Sequence, residues 1–237
     1  MKIIVLFAGS RSFEKEAEKR GHICCSVDIE PFEGIDIVMD CEHITINDLP
    51  FIPDVCQASL PCMSYSIAAI SHHRNGQIPI SEFAKKSDRM AENMLKLFAD
   101  ILKVNQNFKF YIENPRGMLR KMKFMQGIPR NTVCYCKYGD SRMKPTDWWT
   151  NNEKWIPRPM CHNYKYDADG NIINKHCHHE SARRGTKTGT QGRKNNYERS
   201  KIPSELCKEI IEASEACVQW ESVRRDQNNQ SQSTCKN

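Results

Sequence analysis

The chain has no long hydrophobic run. Its N-terminal apolar stretch, "IIVLFA" at residues 3–8, lasts six residues before Gly9, and charge follows at once. That is too short for the apolar region of a secretion signal, and no stretch approaches the roughly 20 residues needed to cross a bilayer. Neither a leader nor a membrane anchor is expected. Glycine is also scarce where a dinucleotide site needs it. The first strand-turn-helix segment, "IIVLFAGSRSF", holds Gly9 alone, whereas the pyrophosphate-binding turn uses three. A nicotinamide or flavin enzyme is disfavoured, and an adenosine-type cofactor without a pyrophosphate stays open. Internal repeats are missing as well, which argues against a solenoid.

With 237 residues, the chain can form one sizeable domain, alone or with a small appendage. Twelve cysteines would frame a disulfide scaffold in a short secreted chain, but without a leader they read as reduced thiols. The net charge of +6 is unevenly spread, with cations crowding residues 116–144 and again the stretch "ARRGTKTGTQGRKNNYERSK" at 182–201. Basic stretches of this kind suit a polyanion, because each Lys or Arg at a phosphate releases a counterion. A solvated basic surface fits the charge alone equally well.

Residues 3–8 read as a buried strand and "SFEKEAEKRGH" as a helix, with Ser12 as N-cap and Gly21 at its end. Glu14 and Glu16 in its first turn suit the positive end of the helix dipole. "HICCSVDIE", "IDIVMD" and "PDVCQA" are strand candidates, and the last two are short. The segment "SEFAKKSDRMAENMLKLFADILKV" places Met90, Met94, Leu97, Phe98 and Ile101 on one helical face. A strand, "NFKFYIENP", follows and ends at a proline. Strands alternating with helices predict an α/β fold, a doubly wound, mostly parallel sheet flanked by helices. From about Asn151 the pattern becomes loop-rich, "SELCKEIIEASEACVQWESV" returns to helical period, and the end is polar and expected to be disordered.

Three strand ends carry chemistry. Gly9 follows the first strand, and Asp28 and Glu30 lie about 20 residues on, where a ribose-binding carboxylate belongs. Pro61 fixes the approach to Cys62 in the loop "SLPCMSYS". A buried structural thiol is the commoner reading of a cysteine, but a polar loop at a strand's carboxyl end favours a reactive one. Glu113 and Asn114 close a further strand before Pro115. That carboxylate is able to bind a substrate or donate a proton, and a turn acid held by backbone amides is the plain alternative.

Taken together, "LFAGSRSF", "VDIE", "LPCMSYS", "ENP", "KYGDSRMK" and "SKIPSEL" resemble, in order, the motifs of the DNA (cytosine-5-)-methyltransferases. The small bacteriophage-encoded variants are the most similar. The resemblance covers residues 1–150 and 185–212 and implies the Rossmann-like fold of S-adenosylmethionine-dependent methyltransferases with a small loop-rich target-recognition insert. It implies a catalytic and cofactor-binding domain over 1–150, a recognition region over 151–190, a closing segment and helix over 191–222, and a tail over 223–237. Cys62 would be the nucleophile, Glu113 the group that holds the cytosine ring, and Arg142 and Lys144 contacts to the base or a phosphate. The cofactor would lie against Phe7, Ala8, Gly9, Ser10, Arg11 and Ser12 of the first loop. Asp28, Ile29, Asp40, Cys41, Pro61 and Ser200 would complete its pocket. Ser64, Ser66, Arg116, Arg120, Lys121, Arg183, Arg184 and Lys187 would meet nucleic acid.

The implied activity is methyl transfer from S-adenosylmethionine to carbon 5 of a flipped-out cytosine in double-stranded DNA, through a Cys62 adduct. The implied setting is the cytoplasm of a bacterium or phage-infected cell, with restriction-modification one context, and a monomer is expected. A catalytically inactive DNA-binding relative and an enzyme of free or single-stranded pyrimidine nucleotides are the alternatives. The chain departs from the family's usual residues at Leu60 and Met63 around Pro61-Cys62, at Pro115 after Glu113-Asn114, and at Arg199-Ser200 before the closing proline.

One cluster stands outside that resemblance. Cys161, His162, Cys177 and His178 are zinc candidates by residue type. Adjacent ligands on one loop fit a tetrahedron poorly, so surface or phosphate-contacting histidines are favoured and no metal is expected.

Overall fold

The structure, a computed structural model, describes residues 1–174, 177–180 and 196–218. The chain opens with β1 (Lys2–Leu6), α1 (Ser12–Lys19), β2 (Ile23–Asp28), β3 (Ile37–Val38) and β4 (Val55–Ser59). A short helix α2 (Ile70–His73) and a hairpin of β5 (Arg74–Asn75) and β6 (Ile78–Pro79) lead into the long α3 (Glu82–Val104). Then come β7 (Lys109–Pro115), β8 (Arg130–Cys134), β9 (Pro145–Thr150), a small hairpin of β10 (Lys165–Tyr166) and β11 (Ile172–Asn174), and α4 (Asn196–Ser200). A final helix, α5, occupies residues 204–218 of the described chain.

Seven strands form one sheet in the order β3-β2-β1-β4-β7-β9-β8. The pairings from β3 through β7 are parallel, and β9 runs antiparallel to both its neighbours. Strand order therefore reverses between β1 and β4, and such a switch point opens a crevice at the carboxyl ends of the strands. The fold class matches the expected doubly wound, mostly parallel sheet flanked by helices.

Strand alternation explains why both faces are covered. Ile4 and Leu6 of β1, Cys56 and Ala58 of β4, and Ile112 of β7 face α3, whose Met94, Leu97, Phe98 and Ile101 pack against them. Ile3, Val5, Val55 and Tyr111, the alternate residues, face Phe13 and Ala17 of α1 and Leu206, Ile210 and Ile211 of α5. The predicted Met90–Ile101 stripe is buried throughout. Ser81 caps α3, its hydroxyl accepting from the Ala84 amide.

The start of α1 departs from its expected cap. Arg11, at φ 52, is the N-cap residue, and its side chain makes no capping hydrogen bond. Ser12 lies inside the helix, where its hydroxyl meets Ser10 Oγ at 2.8 Å and accepts from the Ile202 amide at 3.2 Å. Tertiary contact with the closing segment has taken the hydroxyl away from capping. Glu14 is likewise no exposed partner of the helix dipole. It is fully buried, and neither carboxyl oxygen has a hydrogen-bond partner among the described residues. Burial pushes its pKa up to about 7 because a carboxylate out of water is costly.

That burial sets a pH dependence. Between an unfolded value of 4.5 and a folded value of about 7, the folded chain holds a proton that the unfolded chain releases. Stability therefore falls as pH rises through that window. Glu14→Gln, neutral at every pH, is expected to match the native protein below pH 4.5 and to exceed it by roughly 3 kcal/mol above pH 7. Urea unfolding midpoints across pH 4–8 check this, and equal slopes for both proteins would contradict it.

Candidate active site

Each residue of the proposed chemistry sits at the carboxyl edge of the sheet. The chain leaves β1 through Phe7, held at φ 56, and Gly9 at φ 47. A positive φ in a bulky aromatic residue is a genuine backbone outlier, and such outliers concentrate at functional sites. The turn brings the Gly9 amide to Asp28 Oδ2 at 2.9 Å, while Asp28 Oδ1 accepts from the Glu30 amide at 2.9 Å. Asp28 thus stands fixed at the end of β2. It opens onto a cavity of about 230 Å³ lined by Phe7, Gly9, Ile29, Cys41, Pro61 and Ser200 among others.

Seven of the predicted cofactor residues line that cavity; Ala8, Ser10, Arg11, Ser12 and Asp40 are not in its wall. Arg11 pairs with Glu18 at 2.5 Å, and Asp40 with Lys86 at 2.6 Å. Phe32, Ser59, Met90 and Tyr197 complete the wall. Phe32 and Tyr197 approach each other with ring centroids 6.0 Å apart. Sequence pattern could not find this pair, because α4 returns from the far end of the chain to meet the loop after β2. The cavity suits an adenosine-bearing sulfonium cofactor. It offers a fixed carboxylate for a ribose and apolar and aromatic walls for a purine.

Cys62 follows β4 at the rim of the same cavity, one residue beyond Pro61. Its loop is pinned from three sides. The Asn114 amide group donates to the Leu60 carbonyl at 2.9 Å, and the Met118 amide to the Tyr65 carbonyl at 2.8 Å. Arg74 of β5, fully buried, donates from Nε to the Ser64 carbonyl at 2.8 Å and pairs with Asp88 at 2.5 Å. Asp88 also accepts from the Tyr65 hydroxyl at 2.8 Å. Gly117 permits the close approach, since a Cβ there would lie 2.3 Å from the Tyr65 oxygen.

Register brings the second group in. Ser59 of β4 pairs with Glu113 of β7, so the carboxylate and the thiol loop leave adjacent strands together. Glu113 is buried, accepts from the Tyr135 hydroxyl at 3.0 Å, and lies 3.5 Å from Lys144 Nζ. Lys144 stands 4.5 Å over the Tyr135 ring and donates to the Arg199 carbonyl at 3.2 Å. Arg142 takes another part. It is buried, forms a double hydrogen bond to Asp140, and reaches the carbonyls of Arg199 and Lys201. Lys144 thus faces Glu113, while Arg142 clamps the closing segment.

Cys62 is exposed to solvent but sits in a concave setting with protein on most sides. That surrounding mass, and then the Glu113 charge, push its thiol above the ordinary value, while Lys144 and Arg199 pull it down.

The predicted nucleic-acid residues divide. Arg116 and Lys121 are exposed, and so are Lys123 and Arg130. Arg120 is held by Asp147 through both carboxylate oxygens and by Thr132 at 3.2 Å. Ser64 is fully buried, and Ser66 accepts from the Ala68 amide at 3.3 Å. Arg183, Arg184 and Lys187 lie outside the described residues.

Fold and cleft together define a class: an α/β protein with a doubly wound, Rossmann-like sheet and a cleft at its topological switch point. Within it, the chain resembles the DNA (cytosine-5-)-methyltransferases. It is 28% identical over 160 residues to a "Probable DNA (cytosine-5)-methyltransferase" of Frog virus 3 (isolate Goorha), covering 67% of this chain and 74% of that one. No protein-family model matches. Among solved structures, the chain overlaps the Entamoeba histolytica methyltransferase EhMeth with a TM-score of 0.47 and 15% identity, over 71% of this chain and 63% of that one. The S. pombe Dnmt2 methyltransferase gives 0.42 and 13%, over 63% and 48%. The chain thus spans about half to two thirds of the length of those structures.

The electrostatics of the thiol are open to direct test. The alkylation rate of Cys62, followed by peptide-resolved mass spectrometry against pH, is expected to have its midpoint above the ordinary thiol value of about 8.5. Glu113→Gln should move that midpoint down and Lys144→Met should move it up, and the reverse order would refute the assignment.

Proposed function

We propose that the protein is an S-adenosylmethionine-dependent DNA cytosine carbon-5 methyltransferase. The observation that carries this reading is the placement of Cys62 and Glu113 on adjacent strand ends at the rim of the Asp28 cavity. The viral relative's name points to the same chemistry. In this reading residues 1–150 bind cofactor and catalyse, and 151–190 help to read the target.

Carbon 5 of cytosine is too weak a nucleophile to take a methyl group unaided. The Cys62 thiolate adds to carbon 6, and the ring electrons then concentrate on carbon 5 as in an enamine. Glu113 holds the exocyclic amine and the ring nitrogen in its protonated form, which favours the adduct. Engaging Glu113 with the base also removes its opposition to the thiolate, so the nucleophile forms when substrate is in place. Phe7, Gly9, Asp28 and Pro61 would hold the cofactor, which when bound supplies an electrophilic methyl group. Carbon 5 would take that methyl as the sulfur–methyl bond breaks, its electron pair left on a neutral thioether. Loss of the carbon-5 proton to water with expulsion of the Cys62 thiolate restores the aromatic ring.

A base inside a duplex is out of reach of this site, so it must leave the stack at a cost of a few kcal/mol. Exposed cations at Arg116, Lys121, Lys123 and Arg130 are suited to phosphate contacts that offset this cost. Lys144, beside Glu113, is suited to the base carbonyl.

Tritiated methyl transfer from S-adenosylmethionine to duplex DNA, single strands, duplex RNA and free dCMP tests the substrate class, with duplex DNA expected to be the acceptor. Cys62→Ser is expected to abolish transfer while cofactor binding persists by calorimetry. Full activity in that variant would sink the mechanism, and transfer confined to another acceptor would overturn the DNA assignment.

A further inference from the structure

We propose that Cys136, Cys161, Cys177 and His179 form a structural zinc site that fastens the loop-rich segment to the catalytic sheet. Their ligand atoms, one from each residue, all lie within 4.8 Å of one another. Cys136 sits in the turn after β8, Cys161 before the small hairpin, and Cys177 and His179 after it. Three separate pieces of chain therefore converge on one point.

Zinc would draw ligand atoms that already lie within 4.8 Å of one another onto the shorter edges of a tetrahedral site. Zinc binds thiolate at about 2.3 Å and imidazole at about 2.0–2.1 Å, which sets ligand–ligand edges of roughly 3.5–3.8 Å. Cys161 Sγ and His179 Nδ1 stand 3.8 Å apart. The Asn163 amide donates to Cys161 Sγ at 3.3 Å, a hydrogen bond that stabilises a metal-bound thiolate. Cys136 and Cys161 are buried, and Cys177 and His179 are partly so. Three sulfurs and one nitrogen select zinc over hard cations, which take oxygen. Zn²⁺ would displace the three thiol protons to solvent and bind neutral His179, leaving a site charge of −1 in a basic region.

The tetrad replaces two of the residues that the local sequence singles out. His162 is exposed and outside the cluster. His178 Nε2 lies 3.3 Å from the Asp140 carbonyl. Cys136, 25 residues before Cys161, and His179 take their places, so the strained adjacent pairs Cys161-His162 and Cys177-His178 are avoided.

The segment needs such a fastening. Ile156, Ile172 and Ile173 are exposed, and around this point the buried residues form a small cluster of Cys134, Cys136 and Cys161 apart from the two main cores. Without a core of its own, a segment of this kind gains its order from a metal. The site also borders the catalytic edge. Cys136 follows Tyr135, which holds Glu113, and the Glu180 amide donates to the Ser141 carbonyl at 2.8 Å beside Arg142.

Metal analysis of the purified full chain is expected to find one zinc per chain, lost on Cys161→Ser or Cys177→Ser and retained on His162→Ala and His178→Ala. Because a ligand variant can fail by unfolding, cobalt(II) titration of chelator-treated native protein supplies a second readout. Tetrahedral thiolate coordination should appear as strong visible d–d bands and a near-ultraviolet sulfur-to-cobalt band, and His179→Ala should shift the d–d bands. Folded native protein that holds no zinc and develops no cobalt spectrum overturns the proposal, as does a Cys161→Ser/Cys177→Ser double variant with native zinc content. Neither readout involves methyl transfer, so the site stands or falls apart from the proposed activity.

Discussion

The parallel pairing of β4 with β7 is the constraint on which the rest of the site depends. It sets Ser59 opposite Glu113, and the next residue, Asn114, locks the Leu60 carbonyl. A one-residue slip would turn every side chain of the strand to the other face. Glu113 would then point away from the thiol loop, and Tyr111 would leave the α5 face for the α3 face. The buried alternation of both strands prevents such a slip, because each face has its own helix and its own apolar set. Core packing and site geometry are the same requirement here.

Around that pairing, polar groups are used to hold loops rather than to stabilise the core. Arg74, Asp88 and Tyr65 brace the cysteine loop from behind, and Arg142 with Asp140 braces the closing segment in front. Buried pairs of this kind contribute little net stability, since desolvation offsets their attraction. They do fix position, because removing one partner leaves a charge stranded. Glu14 is the opposite case, a buried acid with no partner among the described residues that keeps its proton up to about pH 7 instead. A cleft rim built from loops needs such ties, because loops lack the ladder that aligns strands.

The environment of Cys62 follows from the same arrangement. The carboxylate that the proposed mechanism needs also raises the pKa of Cys62, and Lys144 only partly counters it. A thiol held neutral at rest and activated when Glu113 is engaged is less prone to oxidation than a standing thiolate. In a chain with eleven other cysteines, most of the described ones buried, that restraint would confine reactivity to the place where the proposed substrate binds.

Much of the fold and seven of the eleven residues that line the Asp28 cavity were legible in the sequence. Short continuous apolar runs and a 23-residue helix with an apolar stripe define layers by local pattern alone, and short motifs at strand ends mark Gly9, Asp28, Cys62 and Glu113. Local pattern cannot say what a polar side chain will meet across the fold. Arg120 and Arg142 read as contacts for nucleic acid or base until Asp147 and Asp140 appear beside them. Ser12 reads as a cap until the closing segment takes its hydroxyl. Tyr197 reaches the cavity from the far end of the chain, and Cys136 and His179 meet across 43 residues of sequence. The sequence by itself determined the strand-and-helix order and put Cys62 and Glu113 at strand ends, because those depend on neighbours in the chain. Tertiary structure decided the pairings, the buried acid and the sulfur cluster, because each of these depends on which distant segments the closed sheet brings within bonding distance.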